Sequence, residues 1–127
     1  MTDSSTMVDS SVWLEYIVNG KCAEYINNNK HLVVSALTFF EIKKKMILKD
    51  YAEEDIQKAL EFVEERGLII AVDEKIATKA ANMIRDKKIS MADAIIYTTA
   101  RIQNIPLLTL DNDFRHLPHV QVLSIKD

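Results

Sequence analysis

Five carboxylates in this 127-residue chain stand just after short apolar runs or at the start of helical ones. Asp9 follows Thr6-Met-Val, and Glu41 lies in the first turns of a helical stretch after Leu32–Ser35. Asp93 opens an apolar helical stretch behind Ser90, Asp111 follows Pro106–Thr109, and Asp73 follows Leu68–Val72. In a parallel α/β sheet the strand C-termini share one edge, where ligands bind, so distant acids placed this way can converge. Convergence is costly: two carboxylates ~4 Å apart repel by about 4 kcal/mol at an effective dielectric of 20. No Lys or Arg adjoins these acids in a way that neutralises them all. A divalent cation does so directly, and all-oxygen ligation selects Mg²⁺ or Mn²⁺. Such a centre suits phosphodiester hydrolysis, because the metal acidifies water and stabilises charge on phosphate oxygens.

Each acid also reads as a helix cap. Thr38-Phe-Phe-Glu41 and Ser90-Met-Ala-Asp93 match the capping-box pattern, and Asp9 and Asp111 match N-caps. Spacing gives the sheet edge and not the strand order, so it does not separate Asp73 from the others.

The apolar pattern predicts the elements that must carry these residues. Thr6–Asp9 reads as a short strand after a loose end at residues 1–5, Ser10–Val18 as a helix stopped near Asn19-Gly20, and Cys22–Asn28 as a short helix. Leu32–Ser35 reads as a buried strand and Ala36–Lys49 as a helix. Glu53–Arg66 carries Ile56, Ala59, Leu60 and Val63 at i, i+3, i+4 and i+7, with Gly67 where a helix stop is expected. Leu68–Val72 is the strongest strand signal, being continuous, apolar and branched. Glu74–Lys87 and Met91–Gln103 read as helices, the second apolar almost all round and therefore buried. Pro106–Thr109 reads as a strand, Asn112–His116 as a turn or short helix, and Val120–Ile125 as an edge strand. Strands alternating with helices predict an α/β fold whose mostly parallel sheet is covered on both faces.

Length predicts one domain over residues 1–127. With 48% hydrophobic and 28% charged residues, Gly 2 and Pro 2, collagen-like and low-complexity chains are excluded. The single cysteine, Cys22, has no internal partner, which points to a reducing, cytoplasmic setting. The first twenty residues carry Asp3, Asp9 and Glu15 without a basic start, so no secretory leader is expected, and no run reaches the ~18 apolar residues of a membrane span. A net charge of −3 argues against a broad electrostatic grip on nucleic acid. It leaves room for a local basic patch or a cation-bridged phosphate.

Four segments together resemble the PIN-domain family, in particular the small VapC-type toxins of prokaryotic toxin–antitoxin pairs. They are Val8-Asp9-Ser10-Ser11-Val12, Ser35-Ala36-Leu37-Thr38-Phe39-Phe40-Glu41, Ala92-Asp93-Ala94-Ile95-Ile96 and Leu108-Thr109-Leu110-Asp111-Asn112-Asp113-Phe114. They come in order, with typical spacing, over nearly the whole chain, and the T-x-D-x-D-F run after an apolar strand is the most specific. The resemblance implies a three-layer α/β/α sandwich with a central, mostly parallel sheet of four or five strands. It implies a Mg²⁺- or Mn²⁺-dependent endoribonuclease in which Asp9, Asp93 and Asp111 hold one or two cations and Glu41 ligates or orients the attacking water. In-line attack would leave a 5′-phosphate and a 3′-hydroxyl. Asp113 falls on a variable family position and is expected to be peripheral, a water-mediated ligand or a cap. Asp73 has no counterpart and stays a cap. An RNA substrate, a cognate antitoxin that blocks the acidic pocket, and a homodimer are implied as well.

Other side chains could also take part in chemistry. The hydroxyls of Ser10 and Thr109 adjoin the acids and could hold a carboxylate or phosphate oxygen, or make local turn bonds. Lys45 and Lys49 share a helix face with Glu41, beside Lys43 and Lys44; they read as a solvated face or as contacts for RNA phosphates. Arg85, Lys87 and Lys88 read the same way. His116 and His119 straddle Pro118, and neither Cys22 nor His31 completes a zinc spacing. Trp13, Tyr16 and Ile17 read as core, with a dimer or antitoxin groove as the alternative. Two competing functions are a non-catalytic PIN-like protein-binding module, in which the acids are only caps, and an acidic α/β phosphohydrolase. The second is disfavoured because Asp9 is followed by Ser10-Ser11 and not by a second Asp two residues on.

Overall fold

The structure, a computed structural model, describes residues 5–28, 31–85 and 88–125. Five short strands form one sheet: β1 (Ser5–Val8), β2 (His31–Ser35), β3 (Gly67–Ile70), β4 (Leu107–Thr109) and β5 (Val120–Val122). Every pairing is parallel, and the order is β3-β2-β1-β4-β5. The helices are α1 (Ser10–Asn19), α2 (Ala23–Asn27), α3 (Ala36–Leu48), α4 (Glu53–Arg66), α5 (Glu74–Ala81) and α6 (Met91–Ile102).

Alternation along each strand divides the core into two. Val8, Leu32, Val34 and Leu108 pack with Val12 and Trp13 of α1, Ile42 of α3, and Ile56 and Val63 of α4. On the opposite face Met7, Val33 and Leu107 pack with Ile96, Tyr97 and Ala100 of α6, and with Phe114 and Leu117. The result is the expected three-layer sandwich, with five strands and no antiparallel pairing among the described residues.

Several element limits differ from the sequence reading, each for a local reason. Ser5 is not part of a loose end, because it pairs with His31 in β1; residues 1–4 lie outside the described residues. The apolar run after α4 makes an edge strand that stops at Ile70, the partner of Ser35. Beyond Ser35 the neighbouring chain turns into α3, so Ala71 and Val72 have no strand to pair with. Leu68 is accordingly 65% exposed. Gly67 does not end α4 in the left-handed region; it is extended, with φ −117°, and opens β3. Glycine fits there because a Cβ would lie 3.1 Å from Val34 Cγ1. Gly20 is the left-handed stop expected for α1, with φ 71° and its N–H bonded to the Tyr16 carbonyl at 2.9 Å. The expected helix Glu74–Lys87 is α5 followed by a 3₁₀ turn at Asn82–Arg85; Lys87 lies outside the described residues. No helix among the described residues is long and apolar enough to cross a membrane.

Candidate metal centre

Strand order decides which acids meet. From β1 the chain proceeds outward to β2 and β3, whereas β4 and β5 lie on the other side. The topological switch point is therefore between β1 and β4, and the crevice opens beyond their C-terminal ends. Asp9 directly follows β1, and Asp111 lies just beyond Thr109 at the end of β4. The helix α3 starts where β2 ends and carries Glu41 in its second turn; α6 leads into β4, so its first turn presents Asp93 at the same edge. Asp73 follows β3, two strands from β1, and is the cap it was expected to be: its Oδ1 accepts from the Ile76 N–H at 2.9 Å.

Asp9 stands at the N-cap of α1 but makes no capping bond with its side chain. It is 5% exposed, and its Oδ2 accepts two hydroxyls, Ser11 Oγ and Thr109 Oγ1, each at 2.8 Å. Both hydroxyls in turn accept backbone N–H groups: Ser11 Oγ from Leu110 and Thr109 Oγ1 from Asp111, each at 3.0 Å. Two hydroxyls thus tie the acid of β1 to the loop that carries the acid of β4. Thr109 holds a carboxylate, one of the two options for it. The second hydroxyl, from Ser11, was missed, although an i+2 spacing from an Asp is a recognisable local bonding pattern. Thr109→Val leaves a buried N–H and a carboxylate oxygen short of partners, and we expect a loss of about 2 kcal/mol in urea unfolding, with Thr109→Ser close to wild type.

Glu41 is not half of a capping box. The N-cap of α3 is Ser35, whose side chain accepts from the Leu37 N–H at 3.2 Å. Glu41 Oε1 and Thr38 Oγ1 are both buried without a hydrogen-bond partner. Burial, then the neighbouring charge of Asp9 and that of Asp93, push the Glu41 carboxyl up to about 6, against a hydrogen bond from Ser10 and the charge of Lys45.

Asp93 shows that cap and cluster are compatible. Its backbone N–H donates to Ser90 Oγ at 3.1 Å, which caps α6, while its carboxylate faces the other acids. Burial, followed by Asp111, Asp9 and Asp113, pushes that carboxylate up to about 6, with a bond from Ser90 acting the other way. Asp111 also does both jobs: its Oδ1 accepts from the Asp113 N–H at 2.9 Å and caps the 3₁₀ turn Asn112–Phe114. Oxygens of Asp93, Asp111 and Asp113 all lie within 4.8 Å of one another. Asp113, expected to be peripheral, is thus one of the three most closely grouped carboxylates. Asp9 and Glu41 lie outside that group of three, near enough for the charge of Asp9 to act on both Glu41 and Asp93.

The donor set is all oxygen, the acids crowd one another, and one buried Glu41 oxygen has no donor. Those residues fit a hard divalent cation. Among the described residues no histidine or cysteine joins an acidic cluster. Trp13 is core, fully buried and edge-on to Phe62, whereas Tyr16 and Ile17 line a groove of about 720 Å³ with Tyr51 and Phe62.

The comparisons agree with this architecture. No curated protein sequence matches the chain. A toxin–antitoxin complex from Klebsiella pneumoniae superposes with a TM-score of 0.77 at 18% identity, over 92% of this chain and 96% of that one. Mycobacterium tuberculosis VapC20, described as a sarcin-ricin loop cleaving toxin, gives 0.76 at 15% identity, over 94% and 99%. VapBC-1 from nontypeable Haemophilus influenzae gives 0.72 at 23% identity, over 94% and 96%. These likenesses establish the fold. The sequence profile of the PIN domain matches residues 6–120, so the chain belongs to the PIN domain family.

Proposed function

We propose that this protein is a Mg²⁺- or Mn²⁺-dependent endoribonuclease, the toxin of a VapBC-type toxin–antitoxin pair. The grouping of Asp93, Asp111 and Asp113 beside Asp9 and Glu41 carries the reading. A divalent cation bound there supplies an acidified water and offsets charge on the phosphate. Asp93 and Asp111 would hold it. Asp9 would hold it through Oδ1, since its Oδ2 is engaged by two hydroxyls. Asp113 completes the oxygen set. Glu41, whose carboxyl is pushed up to about 6, would orient the attacking water and take its proton. The water oxygen would bond to phosphorus in line as the bond from phosphorus to the 3′ oxygen breaks; that oxygen takes a proton from solvent to become a 3′-hydroxyl, and Glu41 returns its proton to solvent. The 5′-phosphate stays on the other fragment.

Two of the similar structures, the complex from Klebsiella pneumoniae and VapBC-1, are toxin–antitoxin assemblies, which supports an antitoxin partner here. The groove beside Tyr16, Tyr51 and Phe62 offers that partner an apolar, aromatic surface. A homodimer is supported by the exposed stripe of Phe40, Ile47 and Leu48 on α3. We place the activity in the cytoplasm, where its RNA would be.

A binding module with no catalysis is the second reading, favoured by the capping bonds at Asp111 and at the Asp93 N–H. Cellular RNA incubated with the purified chain decides between them. We expect cleavage to 5′-phosphate ends in Mg²⁺ or Mn²⁺ and none in EDTA. Equal cleavage in chelator, or none in either metal, refutes the proposal.

A further inference from the structure

A cavity of about 280 Å³ opens beside the acidic cluster, between α1, α3 and the loop after β4. Its wall includes Ser11, Leu14, Leu110 and Tyr51, and Lys45 and Lys49 stand at it as well. Cavity and cluster share structure. Ser11 Oγ donates to Asp9 and accepts from the Leu110 N–H, and Leu110 immediately precedes Asp111. Lys45 sits one helical turn beyond Glu41 and acts on its charge. Lys49 lies a further turn along the same face.

We propose that this cavity is a nucleotide subsite, holding the nucleotide next to the scissile phosphate of single-stranded RNA. The assignment rests on the ribonuclease reading. Leu14, Leu110 and the Tyr51 ring give a base an apolar and aromatic contact surface, and two ammonium groups at the wall meet the adjoining phosphate. Local cations are needed there, because the chain is net −3 and its acidic cluster repels a polyanion wherever no cation intervenes. Glu15 also lines the cavity, its carboxylate accepting from Asn19 Nδ2 at 2.7 Å, so with Lys45 and Lys49 the wall carries one net positive charge. The volume is at the small end for ligand cavities, so it takes one nucleotide and not a base-paired element.

The test is steady-state cleavage of a single-stranded oligoribonucleotide in Mn²⁺ by wild type, Lys45→Gln/Lys49→Gln and Lys45→Arg/Lys49→Arg. For the double Gln variant we expect KM to rise about tenfold, the effect of about 0.7 kcal/mol per exposed charge contact, on top of any change in kcat from losing the Lys45 charge near Glu41. The dependence of log KM on log salt should flatten by about 0.7, the value for one phosphate contact on a single strand. The double Arg variant should restore both. If wild type cleaves and the Gln variant keeps its KM and salt slope, the subsite is refuted and the ribonuclease reading stands; the cavity is then free to take an acidic side chain of a protein partner. A fall in kcat at constant KM also refutes it, by assigning the lysines to Glu41. If wild type cleaves no RNA in Mn²⁺, both readings fall together.

Discussion

Asp93→Asn should abolish RNA cleavage, by about a thousandfold or more, while making the metal-free protein more stable at neutral pH. The first effect follows from removing a charged oxygen from the trio with Asp111 and Asp113. The second follows from the sign of the shift. The folded-state pKa of Asp93 is raised from 3.8 to about 6 by burial and then by Asp111, Asp9 and Asp113. A raised carboxyl pKa contributes stability below the unfolded value, and that contribution is lost as pH climbs through the folded value. Glu41, raised from 4.5 to about 6, behaves alike. Metal-free wild type should therefore lose stability between about pH 4 and pH 7, by about 1 kcal/mol from each acid once solvent screening of these half-open groups is allowed for. Asparagine at position 93 removes its share, and the cap survives because Ser90 receives a backbone N–H. Mn²⁺ at a hundred times its Kd should return about 2.7 kcal/mol to wild type and little to the variant. Urea unfolding with and without Mn²⁺ reads these terms. A binding module that holds no metal predicts the same gain in chelator, through the same loss of a buried charge, but no Mn²⁺ increment in wild type.

Phe114→Ala should cost about 3–5 kcal/mol of folding free energy, a large share of the total for a domain of this size. Phe114 is fully buried among Met7, Leu107, Tyr97 and Leu117, on the face covered by α6. It also ends the 3₁₀ turn that starts with Asn112, so its ring anchors the turn that presents Asp111 and Asp113. Truncation should weaken Mn²⁺ binding in whatever fraction remains folded. Phe114→Leu fills much of the same space and should cost about 1 kcal/mol. Chemical denaturation measures the stability term and calorimetry the metal term. An alanine variant within 1 kcal/mol of wild type would show that the turn is not held by this ring.

How far the sequence reached can be judged at single residues. The positions of Asp9 and Asp111 after apolar runs were enough to place both at one sheet edge, as the parallel ladder β2-β1-β4 confirms. The same rule covered Asp73 equally well, and only the strand order, with β3 at the far edge, separates it. Spacing carries no strand order, because order is decided by which helix layer each crossover joins. Cap and cluster are not alternatives for Asp93 and Asp111. A side chain has two oxygens and a backbone N–H besides, so Asp111 spends one oxygen on its turn and still lies among the acids. Asp113 and Ser11 were underrated because their contacts depend on how the 3₁₀ turn and the β4 loop fold back. Leu68–Val72 was the strongest strand signal, yet it forms an edge, since a continuous apolar run reports strand tendency and not its place in the sheet.

A nuclease site here requires these acids to hold a divalent ion at a shared point. Crystals soaked in Mn²⁺ and measured at a wavelength where manganese scatters anomalously test this most directly. We predict a peak enclosed by oxygens of Asp93, Asp111 and Asp113 on the side facing Asp9 and Glu41, absent from Asp93→Asn crystals treated alike. Well-ordered carboxylates with no peak among them, or a peak that persists in the variant, would contradict it.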